Sequence, residues 1–203
     1  MHLYAVFLVV AAATVCSPGP GVVMTLTNSL RHGPRGAFAG IAGIASGALL
    51  VAAVSVTGLG LLLAASALAF TVVKLVGAAY LAWLGVRLWR APPLRLDAAA
   101  TTPTSWRRRF VAGLSLQVTN PKAVIFFLSA FPQFIEPGRS YAVQFAILVA
   151  TYAALVVAIH SIYARFAGRA RSWLATERGT RTVNRVAGTA FVAFGAALAT
   201  AKR

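Results

Sequence analysis

Two short motifs combine proline with polar side chains inside otherwise apolar stretches. The first is Ser17-Pro18-Gly19-Pro20-Gly21 and the second is Thr119-Asn120-Pro121-Lys122. Proline removes a backbone donor and clashes with the preceding turn, and glycine lets the chain leave helical geometry. Each motif is therefore predicted to unwind a helix locally and to leave backbone groups free to bind a polar solute.

These motifs can be interpreted either as ordinary proline kinks or as parts of a substrate site. Proline kinks are common in membrane helices and need no ligand. Unwound backbone at membrane depth is otherwise tolerated only where it is buried in protein or lines a wet cavity, and paired breaks mark substrate sites in transporters built from repeats. Because both breaks carry polar side chains, they favour a substrate site that lies between them.

Four further side chains are candidates for this site. A charge inside a span is expensive, so Lys122 indicates a function, with capping of the freed carbonyls as an equal alternative. Lys74 and Tyr80 both lie in the third predicted span. Lys74 either contributes to the substrate pathway or extends its ammonium outward to the membrane surface. Tyr80 either contacts the substrate or lies at the membrane interface. His160 is a candidate for proton coupling because imidazole titrates near neutrality, although its place near a span end favours an interfacial histidine.

The sequence lacks the residue patterns that metal binding and enzymatic catalysis require. The acids Asp97, Glu136 and Glu177 all fall in predicted loops, and the three histidines have no metal-ligand spacing. Ser17 has no plausible base near it in the sequence, and neither paired carboxylates nor a phosphate-binding loop occurs. The sequence therefore predicts no metal site, no cofactor and no enzyme.

Composition indicates how the two motifs are positioned. Of the 203 residues, 59% are hydrophobic and 11% charged, with a mean hydropathy of +0.79, which disfavours a soluble domain. The length allows about six helical spans. The predicted spans are Leu3 to Leu26, Ala37 to Leu63, Leu68 to Leu88, Phe110 to Phe134, Tyr141 to Tyr163 and Val183 to Thr200.

The net charge of +16 does not indicate nucleic-acid binding, because the basic residues lie between apolar runs and form no basic face. Basic residues in these positions instead indicate how the protein is oriented in the membrane. The loops after spans one, three and five carry fourteen Lys and Arg residues, and the opposite side carries three. Cytoplasmic loops hold the excess of such charge, so both termini are predicted to be periplasmic, in a bacterial inner membrane. Binding of membrane lipids by these arginines is an alternative.

The chain is read as a single transmembrane domain with two halves, residues 1–90 and 108–203, joined by a proline-rich cytoplasmic linker at 91–107. Each break falls in the first span of its half, and the two spans enter from opposite sides. The predicted fold is all-α, with six transmembrane helices built as two inverted three-helix repeats whose first and fourth helices are broken. A ridge of Gly40, Gly43 and Gly47 predicts close helix packing, within one protomer rather than between two.

At these residues the chain resembles the LysE/RhtB family, and most of all its homoserine and threonine efflux-like branch. The resemblance covers essentially the whole chain. It implies a secondary transporter that exports amino acids or derivatives of the homoserine, threonine and neutral amino-acid class, by proton antiport, as a six-helix protein often paired as a homodimer. The motifs that carry it are Ser17 to Pro20, Ser29-Leu30 with Gly33, Arg35 and Gly36, Lys74 to Leu81 with Gly85, Asn120 to Ala123, and Phe131 to Phe134.

The broken helices suit a zwitterion. The half-helices after Pro20 and Pro121 present N–H groups and a partial positive charge to a carboxylate, and Lys122 adds a full charge. The carbonyls of residues 15–17 and the side chain of Asn120 are acceptors for an ammonium.

Three points stay open. Where the resemblance leads one to expect an acid in span five, residues 153–159 are all apolar, so the coupling residue is not identified. Export of another small solute by a member of the wider superfamily is the first alternative. A membrane protein without transport activity is the second.

Overall fold

Helices make up nearly all of the described chain. The computed structural model describes residues 2–65, 67–92, 105–136 and 138–200, and no strand occurs within them. The all-α prediction is confirmed. In order, the helices are α1 His2–Cys16, α2 Pro20–Ala65, α3 Ala67–Trp89, α4 Trp106–Val118, α5 Pro121–Ile125, α6 Tyr141–Arg165, α7 Ala167–Ala175 and α8 Glu177–Thr200, with a π-helical turn Phe126–Ala130 and a 3-10 turn Phe131–Phe134 after α5.

Both predicted helix breaks are present. Residues 17–19 separate α1 from α2, and Thr119 and Asn120 separate α4 from α5. At the second break the helix axis bends by 59°. Proline begins the helix after each break, as expected of a residue whose missing N–H costs nothing in the first turn.

Helix α2 is a hairpin of two helical arms, residues 20–32 and 34–65. The arms meet at Gly33, whose φ of 71° and ψ of 172° interrupt the helix and suit glycine. Gly21 faces Ile44 across the hairpin, and Gly40 faces Asn28. The first predicted span therefore consists of α1 and arm 20–32, and the second predicted span lies in arm 34–65.

The glycine ridge packs arm 34–65 against α4 in parallel. A Cβ on Gly43 would overlap the carbonyl oxygen of Phe110, and a Cβ on Gly47 would lie 2.7 Å from Cβ of Gln117. Only hydrogen at these positions lets the two backbones approach so closely. The prediction that the ridge packs within one protomer is confirmed.

The remaining contacts fix the direction of the other helices. Helix α6 runs parallel to α1 and to arm 20–32, with Tyr4 hydrogen-bonded to Thr151 at 3.0 Å and Ser29 donating to the Ala164 carbonyl at 2.5 Å. Gly85 packs against Gly188, and Gly195 packs against the Ala78 carbonyl. Between these two contacts the residue number falls along α3 and rises along α8, so the two helices are antiparallel.

An aromatic cluster closes the space beside α1. Phe7 is fully buried, and its ring centroid lies 5.9 Å from that of Phe131 and 5.2 Å from that of Phe134, both in edge-to-face arrangements. Phe127 packs in the same way on Tyr152 of α6, at 4.9 Å. Such geometry is favourable for aromatic rings, and it joins α1, the 3-10 turn and α6 into one core.

The outer surface is that of a multi-pass membrane protein. Within the described residues, two segments are long and apolar enough to cross a bilayer by length and composition: Pro20–Ser55, which folds back at Gly33, and Tyr141–Arg165. The bent pair at the second break forms a third such segment if it is one span. Apolar side chains such as Val54 and Ile147 are exposed, which is stable against lipid. Most of the predicted linker, residues 93–104, lies outside the described part of the chain.

Candidate functional site

Lys122 joins the two breaks. Its ammonium donates to the Thr14 carbonyl at 2.8 Å, to the Ser17 hydroxyl at 2.7 Å and to the Ser17 carbonyl at 3.5 Å. In an uninterrupted helix the N–H of residue 18 would serve the Thr14 carbonyl, but Pro18 has no N–H. The lysine of one broken helix therefore supplies a donor that the other broken helix lacks.

The second proline of the first break is compensated from α6. Pro20 has no N–H for the carbonyl of Cys16, four residues earlier. The Tyr163 hydroxyl donates to that carbonyl at 2.9 Å. The two prolines thus free two carbonyls, and two side chains from the second half of the chain bind them.

The second break is organised by Asn120. Its side-chain oxygen accepts from the backbone N–H of Lys122 at 3.1 Å, and Pro121 occupies the first turn of α5. This is the geometry of an N-cap, in which a polar side chain satisfies a free donor at the start of a helix. The Asn120 side chain, expected as an acceptor for an ammonium, is used in this conformation to begin α5 and to direct Lys122 toward α1.

A small cavity lies between the breaks. Its volume of about 30 Å³ has room for one or two water molecules and is too small for an amino acid. The site therefore does not accommodate an amino acid in this conformation. The lining residues are Thr14, Val15, Ser17, Gly19, Pro20, Gly21, Val22, Ile44, Gln117, Asn120, Lys122, Ala123, Tyr152, Val156 and His160.

His160 lies in the wall of this cavity rather than at the surface. Its side chain is only 4% exposed, so it faces the protein interior and not lipid or water. Nδ1 of His160 lies 2.7 Å from the hydroxyl oxygen of Thr25 in arm 20–32, and which of the two donates depends on the tautomer of the imidazole. The histidine is thus one contact away from Gly21 and the first break.

Three polar residues of the cavity were not singled out from the sequence. Thr14 could have been found, because it lies four residues before Pro18 and its carbonyl therefore lacks a helical donor. Its own hydroxyl donates to the Val10 carbonyl at 2.7 Å. Gln117 and Tyr152 are both buried in the wall of the cavity. No local signal marks them, because they belong to different helices that meet only in the folded chain.

Of the other two predicted site residues, the structure places only Tyr80, and it lies outside the cavity lining. The Tyr80 ring packs on Trp83, with centroids 5.6 Å apart, and Tyr80 is not part of the lining. Lys74 belongs to α3, but its side chain is outside what the structure describes. Within the described residues, no group of three His, Cys, Asp or Glu side chains is placed to hold a metal ion.

Comparison with known proteins gives one family. Residues 12–202 match the model of the LysE type translocator family. The chain is 36% identical over 197 residues to a homoserine/homoserine lactone efflux protein of Salmonella typhimurium, covering 97% of this chain and 95% of the relative. It is 33% identical over 205 residues to an uncharacterized membrane protein of Vibrio cholerae, covering 100% and 98%. It is 30% identical over 200 residues to a leucine efflux protein of Salmonella typhimurium, covering 97% and 94%. No solved structure shows significant similarity.

Proposed function

The chain belongs to the LysE type translocator family, and we propose that it exports amino acids or their derivatives of the homoserine, threonine and neutral amino-acid class from the cytoplasm by proton antiport. The observation that carries this proposal is the cavity between the two broken helices, which Lys122 of one break and Ser17 of the other both line. The relatives named for homoserine, homoserine lactone and leucine efflux support the substrate class.

The proposed architecture is six spans arranged as two inverted three-helix repeats. A two-fold axis in the membrane plane makes the third helices of the two halves antiparallel, and it requires that a contact between the second helix of one half and the first helix of the other occurs twice. The antiparallel pair of α3 and α8 supports the first condition. The parallel packing of arm 34–65 on α4 and of α6 on α1 supports the second.

The proposed orientation places both termini in the periplasm and the inner membrane around the helices. Parallel packing of arm 20–32 on α6 brings Arg31 and Arg165, which lie at the ends of these segments, to the same end of the molecule. The short helix α7 and the start of α8 continue this basic region, with exposed Arg178, Arg181 and Arg185. Arginine collected at one end supports a cytoplasmic assignment for that end.

Export requires this small cavity to widen and to open toward each side in turn. The aromatic cluster around Phe7 lies at the end of α1 that faces the proposed periplasm, and the Gly33 hairpin lies at the proposed cytoplasmic end. Gly19 and Gly21 leave the first break free of large side chains. Movement of the half-helices about these two breaks would connect the cavity with one side and then with the other.

Proton coupling is assigned to His160 in this proposal. The residue lines the cavity and hydrogen-bonds Thr25, so a proton gained or lost there acts on the same helices that hold the substrate. Pairing as a homodimer, which the resemblance implies, stays a prediction.

The test is counterflow in proteoliposomes. Vesicles preloaded with unlabelled homoserine, threonine, leucine or lysine are diluted into the labelled solute, with and without a pH gradient. We expect accelerated uptake of homoserine or another neutral amino acid, stimulated by the gradient, and none in vesicles without protein. Absence of exchange for every solute, with the protein verified as folded and inserted, would exclude amino-acid export.

A further inference from the structure

The Lys122 ammonium is bound in the way that a free amino group would be. A primary ammonium has three donors, and here the acceptors around it are the Thr14 carbonyl, the Ser17 hydroxyl and, at 3.5 Å, the Ser17 carbonyl. All three acceptors are neutral oxygens of the first break. They would serve the amino group of a solute equally well, because hydrogen bonds from an ammonium to such oxygens do not depend on what carries the ammonium.

The space beside this ammonium does not admit a solute while Lys122 stays in place. The cavity of about 30 Å³ reaches the ammonium, and Gly19 lies so near that a Cβ there would be 3.7 Å from Nζ. Lysine carries its charge on a flexible stem of four carbons, so Nζ can leave the first break by rotation of the side chain alone. Departure of Lys122 makes room and frees its acceptors in one step.

Departure also has a cost that only some solutes repay. Pro18 has no N–H, so the Thr14 carbonyl loses its lysine donor and keeps only the Ser17 hydroxyl, which donates to it at 3.1 Å. A buried acceptor that loses the charged one of its two donors is less well satisfied, and a new ammonium restores that hydrogen bond. A solute whose nitrogen is acylated, or replaced by a hydroxyl group, cannot supply the same charged donor.

We propose that Lys122 is a tethered competitor of the substrate, whose ammonium occupies the place of the substrate ammonium until a solute displaces it. The inference rests on the proposed export function and narrows its substrate class to solutes with a free primary ammonium, with or without a free carboxylate. Once displaced, Lys122 is available to the carbonyl or carboxylate oxygens of the same solute. The relatives' named solutes agree in this respect, since homoserine, its lactone and leucine all carry the ammonium and the lactone has no free carboxylate.

The first experiment uses the unaltered protein in proteoliposomes and measures competition against exchange of labelled homoserine. The competitors are homoserine lactone, N-acetylhomoserine and 2,4-dihydroxybutyrate, which alter the carboxylate, the charge of the nitrogen and the nitrogen itself. We expect the lactone to compete well and the other two to be weaker by about tenfold or more. Equal competition by N-acetylhomoserine would overturn the inference while homoserine exchange still supports export. No exchange of homoserine or any other amino acid would remove the export function on which it rests.

The second experiment separates a competitor from a structural cap. Lys122→Met keeps the length of the side chain and removes the ammonium. If Lys122 competes, the purified variant binds homoserine lactone about threefold or more tightly than the unaltered protein, because no tethered ligand has to be displaced. Ethylammonium should then also bind the variant and inhibit lactone binding, which it does not do in the unaltered protein.

Arg139→Met removes a cation from an exposed turn and serves as the control, with lactone affinity unchanged; the Arg139 side chain is 71% exposed. Weaker binding of the lactone by Lys122→Met would show that Lys122 is a cap or a direct substrate contact, and would overturn the competitor role. If Lys122→Met does not fold, the competition series with the unaltered protein still tests the inference, because equal competition by N-acetylhomoserine overturns it.

Discussion

The hydroxyl of Tyr163 donates to the carbonyl of Cys16 at 2.9 Å, from α6 to the last residue of α1. This carbonyl has no helical donor, because Pro20 stands where the N–H would be. The first break is therefore maintained by contacts across the fold as well as by its own prolines. Lys122 acts in the same way on the Thr14 carbonyl.

Replacement of Tyr163 by phenylalanine should destabilise the protein. Tyr163→Phe keeps the ring and leaves the Cys16 carbonyl without its donor, which we expect to lower the free energy of unfolding by about 1–3 kcal/mol. Thermal unfolding of the purified protein in detergent measures the change. Tyr4→Phe is the matched control, since its hydroxyl bonds Thr151 at an exposed position. Equal destabilisation by the two variants would contradict a specific role for Tyr163 at the break.

The glycine ridge gives a second stability prediction. Gly43→Ala places a Cβ against the backbone of Phe110, which cannot move without displacing α4, so we expect destabilisation by about 1–3 kcal/mol or failure to fold. Gly168→Ala in α7 is the control, because open space surrounds that glycine. The readout is the yield of monodisperse protein and its thermal unfolding. Wild-type behaviour of Gly43→Ala would mean that arm 34–65 and α4 are not packed as closely as in this structure.

Truncation of the aromatic cluster should be costly in the same assay. Phe7→Ala removes a fully buried ring that contacts Phe131 and Phe134, and the cavity left behind should lower stability by about 3 kcal/mol or more. Val9→Ala on the same helix, where Val9 is 61% exposed, should change stability by less than about 0.5 kcal/mol. A similar effect of both substitutions would argue against a packed core at this end of α1.

Replacement of His160 tests proton coupling. Glutamine can still hydrogen-bond Thr25 but does not take up a proton near neutral pH. We expect His160→Gln to keep homoserine counterflow in the absence of a pH gradient and to lose its stimulation by the gradient. Both rates are measured in proteoliposomes with equal amounts of inserted protein. Undiminished stimulation in the variant would assign the coupling to another group.

Local sequence was informative where a single residue type imposes a backbone geometry. Proline at positions 18, 20 and 121 fixed both breaks, since each proline removes an N–H wherever it is placed. The ridge of Gly40, Gly43 and Gly47 predicted a close helix contact for a similar reason, because a bare backbone is useful only where another backbone approaches.

Sequence was less informative where an environment decides the role of a side chain. Counting along the helix put His160 near a membrane interface, whereas packing of α6 on arm 20–32 buries it beside Thr25. Tyr80 shows the opposite case, since its motif suggested the pathway and its ring packs on Trp83 instead. The sequence around a residue near the end of a span does not show whether its side chain lies at the membrane interface or in the wall of a cavity, because packing against other helices decides this.

The sequence by itself determined that this protein is helical, apolar enough for the bilayer and interrupted at two places, because these properties follow from hydropathy and from proline chemistry at each position. Only the tertiary structure decided which groups meet at the interruptions. Ser17 and Lys122 are 105 residues apart, and their 2.7 Å contact exists because the packing of the helices brings the two breaks together. A carbonyl freed by proline must find a donor, but the choice of that donor is a property of packing rather than of local sequence.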